Sequence, residues 1–125
     1  MKYLLLIYQN PGTRQIWESL TDEERSESLE FYRALNEELA ASGELIVAES
    51  LAEESHGSRV TTNGDQVVKT DGPFAETKEQ LAGIYLLECE SLGRAQEIAS
   101  RIPEAEGDLG FVEIRPVMTY RALEM

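Results

Sequence analysis

The chain has one cysteine, one histidine and one tryptophan in 125 residues, and only 11 lysines and arginines against 24 aspartates and glutamates. Each shortage closes off a class of function. A single cysteine, Cys89, excludes an internal disulfide and fits a reducing, cytoplasmic setting. It lies in an apolar run and reads as a small buried hydrophobe. The lone histidine, His56, has no cysteine or second histidine near it, which makes a poor metal site and reads as a surface loop residue. A net charge of −13 supplies no basic footprint to displace phosphate counterions, so neither nucleic acid nor an anionic membrane surface is an expected partner. Its plain effect is solubility. No apolar run approaches the roughly 18–20 residues of a membrane span. The run from Tyr3 to Tyr8 is also too short for a signal-peptide core and reads as a first strand. A glycine-rich phosphate loop, G-x-S-x-G, C-x-x-C and H-E-x-x-H are all missing, and no cofactor or metal is implied.

What is present fits one domain of ordinary globular composition, 42% hydrophobic and 28% charged. Residues 2–8 alternate Tyr3, Leu5 and Ile7 with Leu4, Leu6 and Tyr8, a strand apolar on both faces. Asn10-Pro11-Gly12 reads as its break. Thr21 with Glu24 three residues on forms a capping box. Leu29, Tyr32, Leu35 and Leu39 then give the apolar stripe of a helix, which Gly43 ends. Trp17 and Leu20 are expected under its first turn. A second strand covers 45–51. Asn63-Gly64 marks a type I′ hairpin turn, which needs positive φ at both central residues, between strands at 58–62 and 65–70. A strand at 82–88 is again apolar on both faces. Ser91 caps a second helix carrying Leu92, Ala95, Ile98, Ala99 and Ile102 on one side, with Pro103 and Gly107 at its exit. A last strand runs over about 111–117.

This order predicts an α+β fold, a ferredoxin-like split βαβ arrangement with an inserted β-hairpin. Its helices cover one sheet face only. A second copy is the economical cover for the other, which predicts a homodimer with sheets face to face. On the last strand Val112 and Ile114 point to the helices, while Phe111, Glu113 and Arg115 point into the space between sheets. A charged pair there is either a mutual salt bridge or a site where Arg115 receives an anionic group.

Residues 70–80, TDGPFAETKEQ, connect two strands. In a structural reading, Gly72 takes a conformation closed to other residues, Pro73 fixes φ, and Asp71 caps backbone N–H groups. Phe74 then anchors a short helix running through Gln80. In a functional reading the turn presents Asp71, Phe74, Glu76 and Lys78 at the edge of the intersheet cleft, with Asp71 or Glu76 as a general base.

The block from Asp71 to Leu81 resembles the signature of DGPF-domain proteins, grouped with the YCII-related proteins. The opening Met1-Lys2-Tyr3, the 83–88 strand and the closing 112–117 segment fit the same pattern. The resemblance extends to residue 117 and leaves 118–125 as a tail. It implies a dimeric α/β barrel of ferredoxin-like subunits in a bacterial, cytoplasmic protein. It also implies a link to extracytoplasmic-function sigma-factor signalling, but no settled reaction. The wider group carries a candidate catalytic histidine near the helix that follows Thr21, and an aspartate before a Pro-Phe pair after the helix capped by Ser91. Here that earlier helix has no histidine and the later place reads Arg101-Ile102-Pro103-Glu104, so both members of the pair are absent. This ranks a small-ligand-binding or regulatory dimer above a dimeric-barrel enzyme of isomerase or monooxygenase type acting on a small anionic or aromatic molecule. In either case the expected ligand-binding residues are Asp71, Phe74, Glu76, Lys78 and Arg115, with Asp71 and Glu76 as catalytic candidates.

Overall fold

The structure, a computed structural model, describes residues 1–73 and 79–118. The elements are β1 (Lys2–Gln9), α1 (Pro11–Ser19), α2 (Asp22–Ala41), β2 (Leu45–Ser50), β3 (Ser58–Asn63), β4 (Gln66–Asp71), β5 (Gln80–Glu88), α3 (Leu92–Ser100) and β6 (Gly110–Pro116). Four strands form one antiparallel sheet in the order β2-β5-β1-β6, and β3-β4 form a separate hairpin. The expected split βαβ arrangement is present: β5 lies between β1 and β2, and β1 lies between β5 and β6.

The strand alternation sorts the faces as the sequence predicts. Tyr3, Leu5, Ile7, Tyr85 and Leu87 are buried beneath Leu35 and Leu39 of α2 and Ala95, Ile98 and Ala99 of α3, with Ile102 closing one end. Val112 and Ile114 pack against that core from β6. Cys89 is buried in it. Leu4, Leu6, Tyr8, Ile84 and Leu86 take the other face and stay half-buried. Across that face Leu4 pairs with Arg115, Leu6 with Glu113 and Tyr8 with Phe111. The last two rings stack at 4.7 Å.

The α2 cap is the predicted one. Thr21 accepts from the Glu24 N–H at 3.1 Å and the Glu24 carboxylate accepts from the Thr21 N–H at 3.0 Å. Gly43 follows the helix with a φ of 80°, the left-handed conformation that ends helices.

Four local expectations need correction. Asn10-Pro11-Gly12 starts a helix instead of merely ending a strand. Asn10 Oδ1 accepts from the Thr13 N–H at 2.8 Å, and Pro11 occupies the first turn, where its missing N–H costs nothing. Trp17 therefore belongs to α1. The hairpin turn has positive φ at Gly64 only, at 62°. This excludes type I′ and fits glycine at the first central position of type II′. A helix through Gln80 is excluded at its end, because Gln80 opens β5. Residues 74–78 lie outside the described residues. Finally, Gly72 has no positive φ; glycine is required there by close approach, since a Cβ would lie 2.0 Å from the Glu54 carbonyl oxygen.

Candidate functional site

A cavity lies on the helix side of the sheet, not on its open face. It measures about 560 Å³ and is walled by β1, β5 and β2 below, by α2 on one side and by α1 above. Its size is that of small-molecule sites.

The β-strand period places Gln9 and Tyr85 at this wall, and the helical period places Tyr32 and Asn36 there from α2. Glu104 comes from the turn after α3. It is 6% exposed, the buried charged residue of the described chain. A buried carboxylate is costly without hydrogen bonds. Here the Tyr32 hydroxyl lies against both carboxylate oxygens, 2.7 Å from Oε2, and Gln9 Nε2 reaches Oε2 at 3.5 Å. No arginine or lysine pairs with it among the described residues. Burial first, then the bond to Glu104, raises the Tyr32 phenol well above its ordinary value, so Tyr32 stays a neutral donor. Tyr85 donates to Asn36 Oδ1 and is pushed up to about 12, chiefly by burial.

α1 roofs the cavity with Trp17, Ile16 and Arg14. No residue of α1 is buried; the helix is held at its ends. Asn10 N–H donates to Leu109 O at 3.0 Å and Thr13 Oγ1 donates to the same oxygen at 2.8 Å. At the other end Arg25 donates to the Trp17 and Glu18 carbonyls at 3.1 and 3.0 Å, with its guanidinium 5.7 Å from the Trp17 ring centre.

Two polar atoms of this wall have no hydrogen-bond partner although buried: Gln9 Oε1 and Arg14 Nε. Arg14 Nε is 3.6 Å from Glu53 Oε1, an ion pair but beyond hydrogen-bond reach. An unmatched buried polar atom costs about 1–3 kcal/mol. Both residues line the cavity, although these two atoms are themselves covered by the fold.

The residues expected from sequence lie elsewhere. Asp71 is exposed at the end of β4, opposite Ser58. Arg115 is exposed on the open sheet face and pairs with Glu113 at 3.3 Å. Neither lines the cavity. Phe74, Glu76 and Lys78 lie outside the described residues. Sequence reasoning missed Tyr32, which it assigned to the core stripe, and Arg14, Gln9 and Glu104. One signal for Glu104 was available. A carboxylate stands next to Pro103, at the place where the resemblance puts an aspartate, but after the proline instead of before it.

Among the described residues, no helix is long and apolar enough to cross a membrane. An uncharacterised protein of Rhizobium meliloti (strain 1021) is 30% identical over 125 residues, covering 100% of this chain and 98% of the relative. Among solved structures, 5-chloro-2-hydroxyhydroquinone dehydrochlorinase from Burkholderia phenoliruptrix AC1100, in complex with 2,5-dihydroxybenzoquinone, superposes with a TM-score of 0.50 at 12% identity. The match covers 97% of both chains and is a likeness of fold. The YCII-related domain matches residues 1–121, so the chain belongs to the YCII-related family.

Proposed function

We propose that this protein binds a small, partly apolar molecule in the helix-face cavity and moves a proton on it, with Glu104 as proton carrier and Tyr32 as its neutral hydrogen-bonding partner. One observation carries the reading: a buried carboxylate with no cationic partner among the described residues, held by a phenol, on the wall of a cavity of about 560 Å³. Tyr32 and Tyr85, both raised by burial, are the perturbed titratable groups of this concave site, a usual mark of acid–base chemistry.

The test has two stages. A panel of aromatic acids and phenols is titrated into the 15N-labelled chain, and hits are assayed for exchange of their carbon-bound protons with deuterated solvent. Shifts confined to Gln9, Trp17, Tyr32 and Tyr85, with exchange that Glu104→Gln abolishes while binding persists, are the expected outcome. Hits that perturb only the open sheet face, around Leu6 and Ile84, would sink it.

A second reading concerns that open face. Its apolar row of Leu4, Leu6, Tyr8, Ile84 and Leu86 supports a face-to-face homodimer. Arg115 would then lie in the space between sheets, where a small anionic ligand would compete with Glu113 for its guanidinium, with Asp71, Phe74, Glu76 and Lys78 proposed at the edge. The regulatory version adds a partner from a sigma-factor pathway, and the charge of −13 favours a basic protein over DNA. Loss of binding to an anionic ligand in Arg115→Gln, with the cavity unperturbed, distinguishes this site from the first.

A further inference from the structure

We infer that Arg14 recognises an anionic group on the ligand, and that the Asp71-Gly72-Pro73 turn positions Arg14 through Glu53. This rests on the cavity reading above and names its ligand class. Arg14 lines the cavity from α1 with its side chain only 19% exposed. Its Nε is buried 3.6 Å from Glu53, while no hydrogen bond among the described residues takes up its terminal guanidinium nitrogens. A carboxylate or phenolate on the ligand takes those nitrogens with charge-assisted bonds. Gln9, on the same wall, offers its amide to a hydroxyl or amine. Trp17, Leu29 and Ile16 offer apolar surface in the same cavity. Glu104 and Glu49 also line the cavity, and their carboxylates oppose a second negative charge. The complement is a monoanionic aromatic with a hydroxyl at its far end.

The turn enters through contacts on its buried side. Gly72 N–H donates to Gly57 O at 2.8 Å. A Cβ at residue 72 would meet the Glu54 carbonyl at 2.0 Å from oxygen and 3.0 Å from carbon, both backbone atoms that cannot swing away. The turn at 53–57 is thus held against Gly72. It carries Glu53, the ion-pair partner of Arg14 at 3.6 Å. Arg14, Glu53, Glu54 and Pro73 also wall a second, smaller hollow together. The most distinctive stretch of the sequence therefore touches the cavity at one remove, as a brace for its cation. Glu53 and Gly72 are positioning residues.

The probes are 4-hydroxybenzoate and its neutral counterpart 4-hydroxybenzamide, titrated into the full chain by calorimetry and NMR. The acid should bind the native chain about tenfold or more tightly than the amide, the worth of one charge-assisted hydrogen bond. Arg14→Gln should erase that preference, and Gly72→Ala should reduce it several-fold. Glu53→Gln leaves the 53–57 backbone in place and releases Arg14 from its ion pair; it should change the preference, and an unchanged preference overturns the brace, so a Gly72→Ala chain that fails to fold does not remove the test. A purely architectural turn would weaken acid and amide equally. Equal binding of the two by the native chain overturns the inference and leaves the cavity reading intact. So does a preference that survives Arg14→Gln. Binding of neither overturns the inference too, while the cavity reading stands or falls on the wider panel and Glu104→Gln.

Discussion

At the residue scale, the chain invests most in a carboxylate and a phenol. Tyr32 and Glu104 are 72 positions apart, and each depends on the other. Tyr32→Phe leaves Glu104 buried with only the long bond to Gln9. We expect a loss of about 1–3 kcal/mol, read from urea unfolding; a loss near zero would mean that water already serves Glu104. A second pair sits away from the cavity. Arg94 donates to both oxygens of Glu44 at 2.8 Å, and these bonds hold the Glu44 carboxyl down to about 2 from an ordinary value of 4.5. Arg94 is shifted the opposite way by the same bonds. Because the folded value is depressed, the stabilisation is complete above about pH 4.5 and fades as the pH falls toward 2. Acid unfolding curves of Glu44→Gln should lose this part of their slope; an unchanged curve would remove the pair from the account. Tyr32 shows why this scale is hard to read from sequence. Its spacing with Leu35 and Leu39 marks it as core, and it does pack there. Spacing reveals which way a ring faces, not what its hydroxyl meets.

At the element scale, capping chemistry explains both the success with α2 and the failure with α1. Thr21 and Glu24 form the box their spacing announces. Thr21→Ala should cost about 1 kcal/mol, visible as a lower thermal midpoint, and no change would mean that tertiary packing alone sets the start of α2. Asn10-Pro11 carries an equally good start signal, an N-cap residue with proline behind it. The adjacent Gly12 made it look like a break. The error matters because α1 roofs the cavity and carries Arg14. Asn10 ties the helix down twice, through Oδ1 to Thr13 and through Nδ2 to Asp108 O at 2.7 Å. Asn10→Ala should fray α1 and cost about 0.5–2 kcal/mol. NMR relaxation at residues 11–19 checks it, and unchanged relaxation there would show that Arg25 and the bonds to the Leu109 carbonyl suffice to secure the helix.

At the scale of the whole molecule, two faces of one sheet set two separate questions. The helix face is closed by α2 and α3 and hollowed under α1. The open face carries Leu4, Leu6, Tyr8, Ile84 and Leu86, with the Tyr8–Phe111 stack at one side. If a second copy covers it, Leu6→Asp should turn a species of twice the chain mass into one of single mass in sedimentation. It should do so without altering ligand shifts in the cavity on the other side. A native chain that sediments as a monomer would refute the dimer and leave the cavity proposals untouched.

The order of strands and helices, the side of the sheet each strand residue takes, and the cap of α2 are local properties. They follow from alternation, from helical spacing and from side chains three residues apart, all of which are written in short stretches of sequence. The cavity is not of that kind. Tyr32 meets Glu104, Arg14 meets Glu53, and Gly72 meets Glu54 only because β1 and β5 lie side by side at the centre of the sheet, with α1 and the 53–57 turn brought to the same end. The sequence by itself determined the elements and the direction their side chains face. Tertiary structure alone decided which distant polar groups would be buried together, because burial and hydrogen bonding across the chain depend on packing that no local pattern encodes.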